Sequence, residues 1–202
     1  LNRTNTSSIA ILQTASTTGG GVTPTSAAGA NSGNRYYNLT IENVYAGIYL
    51  LGNATYPDLL TEVGVTGGGV STIGAATTGD IGNGTSQTYG IRAASQSGIK
   101  IFNCEVRNVV GTSTSTVDGI FLENTGSTTT SVGTCDVYNN VVHDISSTST
   151  SGGVVSGLRI NLTGNATSIS RVFDNFVYGL TSSSTVTASR RIIGIRVQDA
   201  GS

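Results

Sequence analysis

Apolar residues alternate with polar ones in three stretches that superpose almost residue for residue: Ile99 to Val110 (IKIFNCEVRNVV), Cys135 to Ser146 (CDVYNNVVHDIS) and Ser170 to Thr181 (SRVFDNFVYGLT). Ile99, Ile101, Val106 and Val109 answer to Cys135, Val137, Val142 and Ile145, then to Ser170, Val172, Val177 and Leu180. This is the period of a strand, not of a helix. Asn103-Cys104, Asn139-Asn140 and Asp174-Asn175 interrupt the alternation. Asn and Asp tolerate tight bends and hydrogen-bond nearby backbone, so each pair predicts a corner between two strands. A Ser/Thr-rich run and then a tetrapeptide follow each copy, Gly119-Ile-Phe-Leu122, Gly157-Leu-Arg-Ile160 and Gly194-Ile-Arg-Val197, adding a third strand. A repeat of about 36 residues made of short strands and corners describes one turn of a coil, whose stacking gives parallel sheets.

The earlier half follows the scheme less regularly. Leu39 to Asn43 matches the start of the repeat, Gly47-Ile-Tyr-Leu50 follows directly, and Gly90-Ile-Arg-Ala93 precedes the first full copy. One domain is expected over 1–202. Regular turns would span 34–52 and 89–202, with a Gly/Thr-rich insertion loop over 53–88 and an irregular coil or cap over 1–33, holding one strand from Ser8 to Leu12.

The corner and the Gly-Ile-x-Leu strand resemble those of right-handed parallel β-helix proteins. The expected fold class is therefore all-β, a right-handed single-stranded parallel β-helix (solenoid) with long Ser/Thr/Gly-rich loops. Segments such as VYNNVVHDISSTSTSGG and YGIRAASQSGIKIFNCEVRNVV are similar to β-helical regions of large secreted surface proteins of Bacteroidota, many of them type 9 secretion cargo. The resemblance covers residues 34 to 199 and implies a fold more than an activity, since β-helices serve lyases, hydrolases, adhesins, phage fibres and ice binders alike. One departure stands out: Cys104 replaces the usual corner Asn, which would interrupt an Asn ladder.

Composition agrees with a secreted or cell-surface setting. Charged residues make up 10% of the chain and polarity comes from Ser, Thr, Asn and 28 Gly. A net charge of -1 gives no electrostatic reason to bind nucleic acid or anionic membrane, and no apolar run has membrane-spanning length. The chain starts and stops inside repeat-like sequence and reads as a mature product or a piece of something longer, able to stack with further turns of a parent chain or fibre. In repeat register Cys104 lies five residues from the Cys135 position, roughly 16 Å of strand. A disulfide needs Cα atoms within about 7 Å, so two unpaired buried thiols are expected.

The acids fall out of register. Glu105 aligns with Val141 and Phe176, Asp118 with Ser156 and Ile193, and Asp144 with Asn108 and Gly179, while Asp136 aligns with Lys100 and Arg171 as an ordinary cross-strand ion pair. His143 aligns with Arg107 and Tyr178 and is expected at the surface. No triad, metal-ligand spacing or phosphate loop is present, so no catalytic residue, metal or cofactor is assigned. Gly79 to Thr85 has one carboxylate and predicts a turn rather than a calcium loop. Two outward columns are the candidate binding residues: Tyr49, Arg92, Phe121, Arg159 and Arg196, which could stack on sugars or pair with acidic glycans, and Phe102, Tyr138 and Phe173.

The expected function is thus a non-catalytic stalk or adhesin segment with glycans or a surface polymer as partners. The alternative is a β-helical polysaccharide lyase or glycoside hydrolase using a pair drawn from Asp118, Glu123 and Asp144. The third is a phage or filament fibre, or an ice-binding surface built from Thr112-x-Thr114, Thr148-x-Thr150 and Thr185-x-Thr187.

Overall fold

A computed structural model describes residues 5–15, 22–77, 80–82, 84–123, 134–162, 170–186 and 190–199. It is a parallel β-solenoid of about four turns, 55% strand and 2% helix. In chain order the strands are β1 (Ile9–Thr14), β2 (Arg35–Tyr37), β3 (Thr40–Ile41), β4 (Ala46–Leu51), β5 (Asp58–Leu59), β6 (Glu62–Gly64), β7 (Ser71–Ile73), β8 (Ile81–Gly82), β9 (Thr88–Ala94) and β10 (Gln96–Ser97). They continue as β11 (Lys100–Phe102), β12 (Cys104–Gly111), β13 (Val117–Glu123), β14 (Asp136–Tyr138), β15 (Val141–Ser147), β16 (Gly153–Leu162), β17 (Arg171–Phe173), β18 (Phe176–Tyr178), β19 (Thr181–Ser182) and β20 (Arg190–Asp199).

Three faces result. One sheet runs β1-β4-β9-β13-β16-β20, a second β2-β6-β11-β14-β17 and a third β3-β7-β12-β15-β18, with β5 and β10 pairing at the corner between the first two. The registers are those the superposed copies predict: Ile101 pairs with Val137 and Val137 with Val172, and Val106 pairs with Val142 and Val142 with Val177. The segment 53–88 is not an insertion loop. Its strands β6, β7 and β8 pair with β11 and β12, so it supplies coil of its own. It was unrecognisable as a repeat because Val63, Ile73 and Ile81 keep the inward columns while the residues between them follow no fixed spacing.

Inward ladders of Ile, Val and Leu fill the coil; Ile48, Ile91, Ile120 and Leu158 form one, all fully buried. Each such side chain contributes about 1.5–3 kcal/mol, against less than about 1 kcal/mol for an exposed ion pair, so the ladders hold the turns together. The Gly-Ile-x-Leu glycine is part of this packing. A Cβ at Gly90, Gly119 or Gly157 would overlap Val106, Val142 or Val177 of the third sheet, where the two sheets pinch. Glycine and isoleucine both face inward there, so the residues flanking the pair project from the same outer face.

The third sheet carries two conformational columns, one at the corner where it begins and one at a bend that falls inside β12 and β15. Asn38, Asn103, Asn139 and Asp174 have φ of 55°, 50°, 53° and 53°, and a second set, Asn43, Asn108, Asp144 and Gly179, has φ of 57°, 51°, 55° and 66°. These residue types enter the left-handed region most cheaply. The alignment of Asp144 with Asn108 and Gly179 thus reflects backbone shape. An amide ladder follows the first corner: Asn140 Oδ1 accepts from the Cys104 N–H at 3.0 Å, Asn140 Nδ2 donates to Ile101 O at 3.0 Å and to Asn175 Oδ1 at 2.9 Å. At Cys104 it stops, and the Ser71 N–H bonds to the Asn103 carbonyl instead, at 3.1 Å. Cys104 and Cys135 are buried and are not joined to each other, as expected from their register. On β20, Ile192, Ile195 and Val197 continue the inward register of Val155, Leu158 and Ile160 but are 50%, 47% and 66% exposed.

Candidate functional site

The first outward column forms in the predicted register: Tyr49 pairs with Arg92, Arg92 with Phe121, Phe121 with Arg159 and Arg159 with Arg196. It is not the bare strip the alternation suggests. Phe121 is buried, and Tyr49, Arg92, Arg159 and Arg196 are partly so. The cause is diagonal contact between turns. Arg159 donates to both Asp118 oxygens, Nε at 3.0 Å and Nη2 at 2.6 Å, and its guanidinium lies 3.5 Å from the Phe121 ring centroid. Arg92 pairs with Glu123 and lies over the Tyr49 and Tyr89 rings at 5.9 and 5.3 Å.

Tyr89 belongs to this site although its partner in register is Asp118 and not a member of the column. Its ring is edge-on to Tyr49 at 5.5 Å and stacked on Phe121 at 5.9 Å. The signal lay in the inward Gly-Ile pair, which puts positions three apart on one face. The Tyr45 and Tyr89 hydroxyls donate to Gln87, to its carbonyl at 2.7 Å and to its Oε1 at 2.6 Å. A cleft of about 400 Å3 opens here, lined among others by Thr6, Tyr49, Ser86, Gln87, Arg92 and Ser115. Its walls offer an aromatic ring with hydroxyl and amide groups, while the nearby cation is already paired. Burial pushes the Asp118 carboxyl up to about 6, against the pull of Arg159, and raises the Tyr49 phenol far above its ordinary value.

The second column, Phe102, Tyr138 and Phe173, is also in register. Its rings stack on one another, at 5.3 Å and 8° and then 5.0 Å and 1°. Phe102 is buried and Phe173 is 41% exposed. Tyr138 has a ring against each face, so an inner sugar-stacking surface is closed and Phe173 alone keeps an outer face beyond the stack. Tyr37 extends the column, meeting Phe102 edge-on at 6.2 Å across Gly64. Its hydroxyl donates to Glu62 and holds that carboxyl below its ordinary value.

His143 is a correction. It is buried rather than at the surface, stacked on Tyr178 at 4.7 Å and 3°, with Nδ1 2.7 Å from Asp144 and Nε2 3.2 Å from Glu105. Glu105 comes from the diagonal position on the preceding turn, which a same-column comparison does not see. Arg107 donates to the same Glu105 oxygen at 3.3 Å. The candidate hydrolase carboxylates do not form a free pair: Asp118 and Glu123 each hold an arginine and Asp144 holds His143. Asp80 accepts backbone N–H groups of Asn43 and Ala75 at 3.3 and 2.7 Å, which makes it a turn brace; Gly79 and Asn83 lie outside the described residues. Thr112, Thr148 and Thr185 donate to carbonyls of the preceding turn, Gly84, Gly111 and Thr150, at 2.8, 3.4 and 3.1 Å; Thr187 lies outside the described residues. Among the described residues no group of His, Cys, Asp and Glu is arranged to hold a metal. Compared with known proteins, the chain matches no family model, no curated protein and no solved structure.

Proposed function

We propose that this chain is a rigid, non-catalytic β-solenoid module of a secreted or cell-surface protein, a stalk or adhesin segment that binds glycans in the tyrosine-lined cleft of the first sheet. One observation carries the reading: the charged side chains around the cleft are spent clamping one turn to the next, leaving a ring, hydroxyls and amides facing the opening. Such groups suit sugar recognition, in which a ring face takes C–H groups and polar groups take hydroxyls. The finer affiliation, with surface proteins of Bacteroidota exported by type 9 secretion, is part of the proposal and rests on the corner and tetrapeptide motifs together with the low charge content.

A glycan array paired with a polysaccharide-degradation panel tests it. The expected result is binding lost in Tyr49→Ala, with no turnover. Turnover of any bound polymer would replace the module by a β-helical lyase or hydrolase. That second reading is favoured by one feature, the Glu105–His143–Asp144 cluster, and Glu105→Gln should then abolish the turnover.

A further inference from the structure

The outer face of the second sheet carries a column of charges that alternates in sign from turn to turn: Arg35, Glu62, Lys100, Asp136, Arg171. The two signs are not equally exposed. The side chains of Arg35, Lys100 and Arg171 are 69%, 44% and 60% exposed, whereas those of Glu62 and Asp136 are 20% and 9% exposed. The acids lie beneath and orient the cations, with Lys100 on Glu62 at 3.2 Å and Arg171 on Asp136 at 2.8 and 2.7 Å. Arg171 uses Nε and Nη2 for this while most of its side chain stays in solvent. What reaches solvent is a row of cations on alternate strands, roughly 9.6 Å apart.

A groove of about 780 Å3 runs beside this row, lined by Leu59, Leu60, Gly98, Lys100, Asp136 and Arg171. Its other wall is unusual. Leu60 has φ of 56° and is 67% exposed, in a corner where the adjacent turn has Gly98, φ 70°. A leucine in the left-handed region is strained by about 1 kcal/mol or more, and here the strain holds an apolar side chain out in water over the groove. Strain and exposure together mark a wall built for a ligand rather than for the core.

We propose that this groove binds a linear anionic polysaccharide lying along the coil axis, with an acidic group on every second sugar. Lys100 and Arg171 take successive acidic groups, Arg35 extends the row, and Leu60 packs on the apolar face of an intervening ring. Charge spacing selects the polymer, since an acid on each sugar would set every other carboxylate over Asp136 or Glu62. The inference rests on the glycan-binding reading but places a second, charged site on a different sheet.

Hyaluronan, with one carboxylate per disaccharide, is the probe, against neutral dextran, in affinity electrophoresis. Hyaluronan should retard the protein and dextran should not. Lys100→Ala with Arg171→Ala should weaken binding about tenfold or more, the loss of two charge-assisted contacts. Arg191→Ala, which removes one positive charge from an exposed residue elsewhere, should leave it within about twofold. Leu60→Gly, which relieves the strain without touching charge, should also weaken it, and melting curves establish that each variant is folded. Equal hyaluronan binding by wild type and the double variant overturns the site. Absence of hyaluronan binding alongside neutral-glycan binding in the tyrosine cleft overturns this inference alone; absence of both overturns the module reading as well.

Discussion

Arg159 holds Asp118 from one turn further along the coil, with its guanidinium flat against Phe121. Asp118 is fully buried, so among the described residues it is the arginine-paired carboxylate whose cation water cannot replace. Arg159→Met keeps much of the packing on Phe121 but strands the acid. At pH 7 it should cost about 3–5 kcal/mol in urea denaturation. A loss below about 1 kcal/mol would mean that solvent reaches Asp118.

The same carboxyl predicts a pH signature. Its folded value of about 6 lies above the ordinary 3.8, because burial outweighs the arginine. Between these values the folded chain keeps a proton that the unfolded chain has released. Stability from this group is therefore complete below pH 4 and lost as pH rises through about 6. Relative to Asp118→Asn, wild type should lose on the order of 2 kcal/mol over that window and stay flat above it. A difference that is constant from pH 4 to 7 would show a normal carboxyl.

Gly119→Ala puts a methyl onto Val142 at the pinch between the first and third sheets. The flanking backbone belongs to β13 and is paired on both sides, so it cannot move away. The expected destabilisation is about 1–3 kcal/mol by overpacking, visible as a lower melting temperature. An unchanged melting temperature would show that the two sheets can part.

Cys104 occupies a ladder position and makes only weak sulfur contacts, to Phe102 O at 3.4 Å and Val63 O at 3.9 Å. The second contact is the counterpart of the bond from Asn140 to Ile101 O. Cys104→Asn should therefore extend the ladder by one rung and stabilise by about 1 kcal/mol. Asn140→Ala should go the other way by about 2–3 kcal/mol, since it leaves the Cys104 N–H without its acceptor. Paired chemical denaturation curves measure both. Equal effects of the two variants would remove the ladder from the account.

Burial pushes the Cys104 thiol up to about 12 and raises that of Cys135 as well. The thiolate is the reactive form, so neither should react with an aromatic disulfide reagent at pH 8 while the coil is folded. Both should react promptly in denaturant. Labelling of the native protein at either position would reveal local opening of its corner.

The inward columns were legible because a strand period and a repeat fix them together: Ile101, Val137 and Val172 share one environment, and their copies superpose. Segment 53–88 was not, because its turn keeps the inward residues and changes every corner length. The outward chemistry was legible only along columns. Asp136 and Arg171 share one and were found. Asp118 with Arg159, Arg92 with Glu123 and His143 with Glu105 meet across columns, where side-chain length and the inward glycine decide the partner. Same-column comparison made His143 look solitary, and made the arginine strip look free.

Those cross-column pairs give the coil a sense of direction. A slip of two residues between neighbouring turns restores the bonding pattern of a parallel ladder, so the backbone bonds alone barely distinguish the slipped register from the true one. The pairs do distinguish it. From Asp118 to Arg159 and from Arg92 to Glu123 the line leans toward the C-terminal end of the strand on the next turn. Two braces tilted the same way stretch when the turns shear in one sense and go slack in the other. The stack is thereby framed like a trussed tower with parallel diagonals, stiffer against twist in one hand than in the other.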